Sequence, residues 1–235
     1  MLVAGICVWL TQAASDQGSA TRLSRGALPQ EVAGSVPPRD PHGQTSAPTA
    51  RRTNSPGVPV AIDIPIPSPN HPRGVHAAVS ANALNSNGSL FVPADPREVS
   101  WANQDAAPGS ARGTAILTSH INYVINGETV PGAFADLADY ASTAVGKQFS
   151  VLLADGRRMQ YRIVAGREYN KEQLAADPSL RTAVYNQTDS FGPHGQAPTG
   201  RLLLASCGGP FDPGTGEYED NVFLYALPVS GTAGD

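Results

Sequence analysis

Two residues of this chain carry chemistry that their surroundings present: a thiol, Cys207, and an imidazole, His120, 87 positions before it. Cys207 follows Leu202-Leu203-Leu204-Ala205 and Ser206. That short apolar run, bounded by turn residues, predicts a buried strand rather than a helix. Gly208 and Gly209 come next and are expected to end the strand. Lacking Cβ atoms, they would let a substrate backbone lie against the sulfur, and their N–H groups could serve an oxyanion. The stretch Gly113 to Tyr123 reads as a second apolar strand, and it ends in His120 with polar neighbours. A thiol and an imidazole on two strand ends can act as a nucleophile and its base, the sulfur adding to a carbonyl while the ring moves the proton. Each also has a plainer reading, a buried structural thiol and a structural histidine at a strand end. His194, in a polar loop, is the rival base.

Around these residues the sequence resembles a known family. Ser119-His120-Ile121-Asn122-Tyr123, then Leu202 through Asp212, then Gly216-Glu217-Tyr218-Glu219-Asp220-Asn221-Val222-Phe223-Leu224-Tyr225-Ala226 are similar to a sortase. The form Cys207-Gly208-Gly209-Pro210-Phe211-Asp212 is most like the class F sortases of actinobacteria. The resemblance spans residues 56–228 and is specific at its two ends. It implies a mainly β fold, a closed or nearly closed eight-stranded barrel with one or two short helices. It also implies a cysteine transpeptidase or hydrolase of the thiol-protease kind. Cys207 would attack the Thr–Gly bond of an LPXTG-like sorting signal on a surface protein, and the acyl group would pass to a cell-wall amine. His120 would protonate the leaving amine and deprotonate the incoming one. Sortases also place an arginine on the last strand, where it holds the substrate carbonyl oxygen. Here no arginine follows Arg201, and the place falls at Asn221 or its neighbour Glu219. Asn221 could donate a hydrogen bond there without bringing charge, and Arg201, Arg112 or Arg97 could fill the place from elsewhere. Ser206 stands where sortases usually carry threonine. The alternatives are a weakly active or inactive homologue that binds sorting-signal peptides or a surface partner, and an unrelated cysteine hydrolase. Papain-like enzymes have the cysteine before the histidine, the reverse of the order here.

Composition narrows the classes. The chain has 235 residues, 40% hydrophobic and 15% charged, enough for one ordinary core. Net charge is −4 and lysine occurs only at Lys147 and Lys171, so the basic footprint of a nucleic-acid binder is missing. With 24 Gly and 21 Pro the composition predicts a loop-rich, mostly β domain with an extended tail. Residues 1–14 open with an apolar run too short to span a bilayer comfortably, read as an export or anchor segment, possibly truncated, that places the domain outside the cell membrane. Residues 15–57 are poor in large apolar side chains and read as a disordered linker. Residues 58–228 are the expected catalytic domain and 229–235 a tail. Cys7 sits in the apolar segment far from Cys207, so no intramolecular disulfide is expected and Cys207 reads as an unpaired thiol. His42, His71 and His76 have no partner at metal-ligand spacing, and no phosphate-cradling glycine motif occurs, so neither metal nor cofactor is expected.

The remaining elements position the pair. Val58 to Ile66 alternates and its prolines confine it to an edge or first strand. Asn85 to Gly88 is a turn, Ser89 to Val92 a short strand, and Trp101 falls in a polar loop. Phe134, Leu137 and Tyr140 have helical spacing. Gln148 to Ala154 and Met159 to Ala165 form a hairpin across Asp155-Gly156, and Lys171 to Leu180 is weakly helical. Strands of this length with one helix among them predict a closed or nearly closed barrel.

Overall fold

The computed structural model describes residues 56–194 and 199–229. The 1–14 segment, most of the expected linker and most of the tail lie outside the described residues. In chain order the elements are β1 (Pro59–Ile64), β2 (Val75–Asn82), β3 (Val99–Ala102), β4 (Thr114–Thr118), β5 (Asn122–Ile125), β6 (Glu128–Pro131), α1 (Leu137–Thr143), β7 (Gln148–Leu153), β8 (Arg158–Asn170), α2 (Lys171–Ala176), α3 (Pro178–Tyr185), β9 (Arg201–Asp212) and β10 (Glu217–Pro228). Eight strands close a barrel in the order β1-β2-β3-β4-β9-β10-β8-β7, and β5 and β6 form a separate two-stranded sheet. Within the barrel β2–β3 and β4–β9 are parallel, and the other pairs antiparallel.

The mainly β, closed eight-stranded barrel is the predicted fold class, but three helices occur among the described residues rather than one or two. The weakly helical stretch breaks into α2 and α3 at Asp177. Its carboxylate accepts from the Leu180 N–H at 2.9 Å, and Pro178 opens α3, where a missing N–H costs nothing.

Alternation with a period of two splits the apolar side chains between two cores. Every barrel strand contributes to the inner one, including Ile62, Val75, Trp101, Leu117, Val151, Tyr161, Leu204 and Leu224. Ile116, Leu203, Ala205, Phe223 and Tyr225 face outward and are covered by Leu174 of α2 and by Val184 and Tyr185 of α3. Burial on both faces is why Leu202 to Ala205 reads as an unbroken apolar run.

Several expectations are corrected. Gly208 and Gly209 do not end their strand: β9 runs on to Asp212, and Gly209, at φ +72, sits where the β9–β10 register shifts. Glycine's tolerance of positive φ lets the strand absorb that irregularity and continue. Trp101 is not in a loop but in β3, opposite Ala81 and Leu117, with its indole N–H donating to Ala106 O at 3.1 Å. Residues 89–92 are not a strand. Asn85 Nδ2 donates to Ser89 Oγ and Leu90 O, and Thr118 Oγ1 to Phe91 O, so side chains rather than a ladder hold this segment.

Candidate active site

The last ladder pair between the parallel strands β4 and β9 is Thr118 with Ala205. The register carries on past the end of β4. Ser119 N–H donates to Ala205 O at 3.3 Å, and Ser206 Oγ donates to Ser119 O at 3.1 Å. One place further along each chain segment come His120 and Cys207. The period of two puts both on the outer face, in line with Ile116, Leu203 and Ala205. Neighbouring strands lie about 4.8 Å apart, so residues distant in sequence become lateral neighbours. Both side chains line one cavity of about 540 Å³.

His120 is held on several sides. Its Nε2 lies 2.9 Å from Pro93 O. A carbonyl oxygen only accepts, so Nε2 carries the proton and Nδ1 is the nitrogen left to exchange one. The Pro93 loop is fastened in turn by Ser119 Oγ, which donates to Glu98 O at 2.7 Å and Pro96 O at 3.2 Å. Tyr123 packs on the ring with centroids 5.1 Å apart. Behind it, Phe134 N–H donates to His120 O at 3.3 Å, and Gly132 lies so close that any Cβ there would overlap the His120 carbonyl. Burial lowers the imidazole's pKa below its ordinary 6.5, opposed by the Pro93 bond, and so favours the neutral ring.

The opposite wall comes from the β9–β10 hairpin. Phe211 and Tyr218 meet edge to face, and Tyr218 OH accepts from Asn122 Nδ2 at 2.6 Å, tying β5 to β10 across the cavity. Lys171, at the β8–α2 junction, also lines it. The Lys171 Nζ is out of contact with water, makes no hydrogen bond, and lies 3.6 Å from Glu217 Oε2. Burial lowers the ammonium's pKa, opposed by the charges of Glu217 and Asp220.

Of the predicted site residues, His120 and Cys207 are brought together. Asn221 pairs with Cys207 across β10 and β9, but it is 3% exposed, its Oδ1 has no hydrogen-bond partner, and it is not among the residues lining the cavity. Glu219 is exposed and also off the cavity wall. None of Arg97, Arg112 and Arg201 lines it; Arg201 donates to Asn186 O and Gln187 O at the opposite end of β9. His194, the rival base, is exposed and bonded to Ser190 O at 3.1 Å. No group of three or more potential metal ligands occurs among the described residues. Lys171 is the residue that sequence reasoning missed. Its signals were its rarity, one of two lysines, and its place where a strand turns into a helix.

Cys207 departs from the expected unpaired thiol, because its sulfur is disulfide-bonded. Separation along the chain is a weak guide to pairing, since the cost of closing a loop grows only slowly with its length. Cys7 lies outside the described residues. A cysteine acts as a nucleophile only in its reduced form.

No family model and no curated protein matches the chain. Among solved structures it superposes on sortase A from Corynebacterium diphtheriae with a TM-score of 0.46 at 15% identity, covering 77% of this chain and 65% of that one. Sortase C1 from Streptococcus suis gives 0.46 at 11% identity, covering 74% of each chain. A Clostridium perfringens sortase D5 transpeptidase gives 0.44 at 17% identity, covering 74% of this chain and 79% of that one. The chain thus spans just under two thirds of the sortase A chain.

Proposed function

We propose that the protein is a sortase-type cysteine transpeptidase, with the class F form in its cysteine motif. It would cleave an LPXTG-like sorting signal and transfer the acylated surface protein to a cell-wall amine. The observation that carries this reading is that His120 and Cys207, each two places beyond the last β4–β9 ladder pair, line one cavity. With the thiol reduced, Cys207 Sγ attacks the scissile carbonyl carbon and its proton passes to His120 Nδ1. Collapse of the tetrahedral adduct breaks the C–N bond, and the Nδ1 proton leaves with the amine. The thioester then takes the incoming amine, whose proton goes to Nδ1. As the C–S bond breaks, that proton returns to the sulfur. The apolar segment 1–14 and the spacer behind it support a site of action outside the membrane, tethered through that segment.

The test uses the full chain under reductant with an LPXTG-type peptide. Cleavage and a thioester adduct seen by mass spectrometry are expected, and Cys207→Ala should abolish both. Retained turnover in that variant would assign the chemistry to another group. A second reading, a homologue that binds sorting-signal peptides without processing them, is favoured by the burial of Asn221 away from the cavity. In that case the peptide would bind the parent protein and remain uncut.

A further inference from the structure

We infer that Lys171 is the cation of this site: its ammonium binds the carbonyl oxygen of the scissile bond and holds the negative charge that forms there when Cys207 attacks. The inference rests on the acyl-transfer reading above. Attack of a thiol on a carbonyl moves an electron pair onto oxygen, and a site that accelerates this step needs a donor aimed at that oxygen. His120 cannot supply it, because Nε2–H is spent on Pro93 O and Nδ1 must handle the proton. Asn221 does not line the cavity. Lys171 is the one lysine or arginine among the described residues that do, and Cys207 lines the same cavity.

The state of the ammonium points the same way. Its Nζ is removed from water and donates to nothing, with Glu217 Oε2 at 3.6 Å, an ion pair beyond hydrogen-bond reach. An ammonium has three N–H donors, and with its carboxylate partner held at 3.6 Å it has donors left for a ligand oxygen entering the cavity. The helix does not explain the residue either, since a cation in the first turn of α2 opposes the helix dipole. Sheet order explains how it arrives. β8, β10, β9 and β4 are successive neighbours, so the ends that carry Lys171, Cys207 and His120 lie along one edge of the barrel.

The titratable and charged groups around this ammonium are Glu217 and Asp220 from β10, Glu172 beside it in α2, and Asp212 of β9 and Glu219 of β10, which line an adjoining cavity with it. His120, Tyr123, Tyr218 and Cys207 share the cavity. Burial draws the Lys171 pKa down from its ordinary 10.5 while Glu217 and Asp220 oppose the fall. The charge is therefore lost at lower pH than in a free lysine.

Two rates separate this role from others in the reduced full chain: thioester formation with an LPXTG-type peptide, and alkylation of Cys207 by iodoacetamide, a reaction that builds no oxyanion. Lys171→Met should slow thioester formation by ~100-fold, the scale of one oxyanion donor, and leave alkylation unchanged. Lys171→Arg should keep most of the acylation rate and lose the alkaline fall of the parent profile, because a guanidinium does not deprotonate. Parental acylation in Lys171→Met would make the lysine a structural ion pair and overturn the inference. Equal loss of both rates would assign it to the thiolate instead, and an alkaline fall that persists in Lys171→Arg would assign that fall to another group; either result overturns it. Should Lys171→Met fail to fold, judged by its melting temperature, the Lys171→Arg profile decides. A parent that alkylates normally but never forms a thioester fails the functional reading, before any change at Lys171, and takes this inference with it.

Discussion

His120 and Cys207 each stand two places beyond Thr118 and Ala205, the last ladder pair of β4 and β9, and both line one cavity. Because the two strands are parallel, each apolar run delivers its reactive residue at the same end of the sheet. An antiparallel pair would have set one of them at the start of its strand. The likeness of the two sequence stretches, an apolar run followed by a small polar residue and then the chemistry, has this geometric cause. Ser206 Oγ, donating to Ser119 O at 3.1 Å, fastens the two ends where the ladder stops. Such a bond is worth ~1 kcal/mol.

From the held ring follows a prediction about pH. His120→Gln should keep the donation to Pro93 O but lose proton transfer, lowering kcat/KM by ~10²–10⁴-fold. Since burial lowers the His120 pKa, the acid limb of the parent profile should lie below pH 6.5. Stability follows the same sign. Between the lowered folded value and 6.5 the unfolded chain binds a proton that the folded one does not, so stability is lost as pH falls through that window. Denaturant melts of parent and His120→Gln across pH 5 to 7 check this, the variant being the flatter; an acid limb above 6.5 would contradict it.

Gly132 offers a second test, remote from the chemistry in sequence. A Cβ there overlaps the His120 carbonyl, so Gly132→Ala must shift the His120 backbone relative to Cys207. Overpacking of this kind costs ~1–3 kcal/mol. A displacement near 1 Å at the base should slow acylation by up to ~100-fold. Gly156→Ala is the control. Its φ of +82 makes the substitution strained, but nothing stands within 4 Å of the added Cβ, so stability should fall without a change in rate. Equal rates in both variants would mean that the position of His120 is not limiting.

How much of this was legible in the sequence depended on how local each feature is. The buried strands showed as apolar runs, and the β7–β8 hairpin as Asp155-Gly156, with Gly156 at φ +82. The β5–β6 hairpin over the site carried an equally good signal that went unread: Asn126-Gly127, at φ 52 and 84, the combination that a tight two-residue hairpin demands. β3 is hidden because its four residues are too few to show a period, and the polar residues around Trp101 read as a loop. The continuation of β9 through two glycines depends on pairing with β10, which no local pattern reports. Lys171 was out of reach for the same reason: its meeting with Cys207 needs the order of three strands, not the composition of one.

Asn221 separates what a family pattern implies from what this barrel does with the residue. Its side chain is buried, its Oδ1 is unpartnered, and it does not line the cavity. Asn221→Ala removes a buried, unpartnered side-chain oxygen, so stability should change by only ~1 kcal/mol and acylation hardly at all. Asn221→Arg should destabilise rather than activate, since it buries a guanidinium against Tyr169 and Cys207 with no carboxylate assigned to it. A ~100-fold drop in acylation for Asn221→Ala would instead put this amide on the substrate oxygen.

Glu217 decides whether the Lys171 charge governs the alkaline side of the profile. Its carboxylate lies 3.6 Å from the Lys171 Nζ and holds the ammonium's pKa up against the burial that lowers it. In Glu217→Gln that opposition is lost, so Lys171 should deprotonate at lower pH and the alkaline fall in acylation should begin earlier. On the acid side of that fall the ammonium is charged in both proteins. There the variant should match the parent or exceed it, because a carboxylate no longer competes with the substrate oxygen. In the double variant carrying Lys171→Arg as well, the shift should vanish. Stopped-flow acylation rates for the parent, both single variants and the double variant close a cycle that isolates the pair. An alkaline fall that stays in place when Glu217 is neutralised would show that the Lys171 charge does not set it.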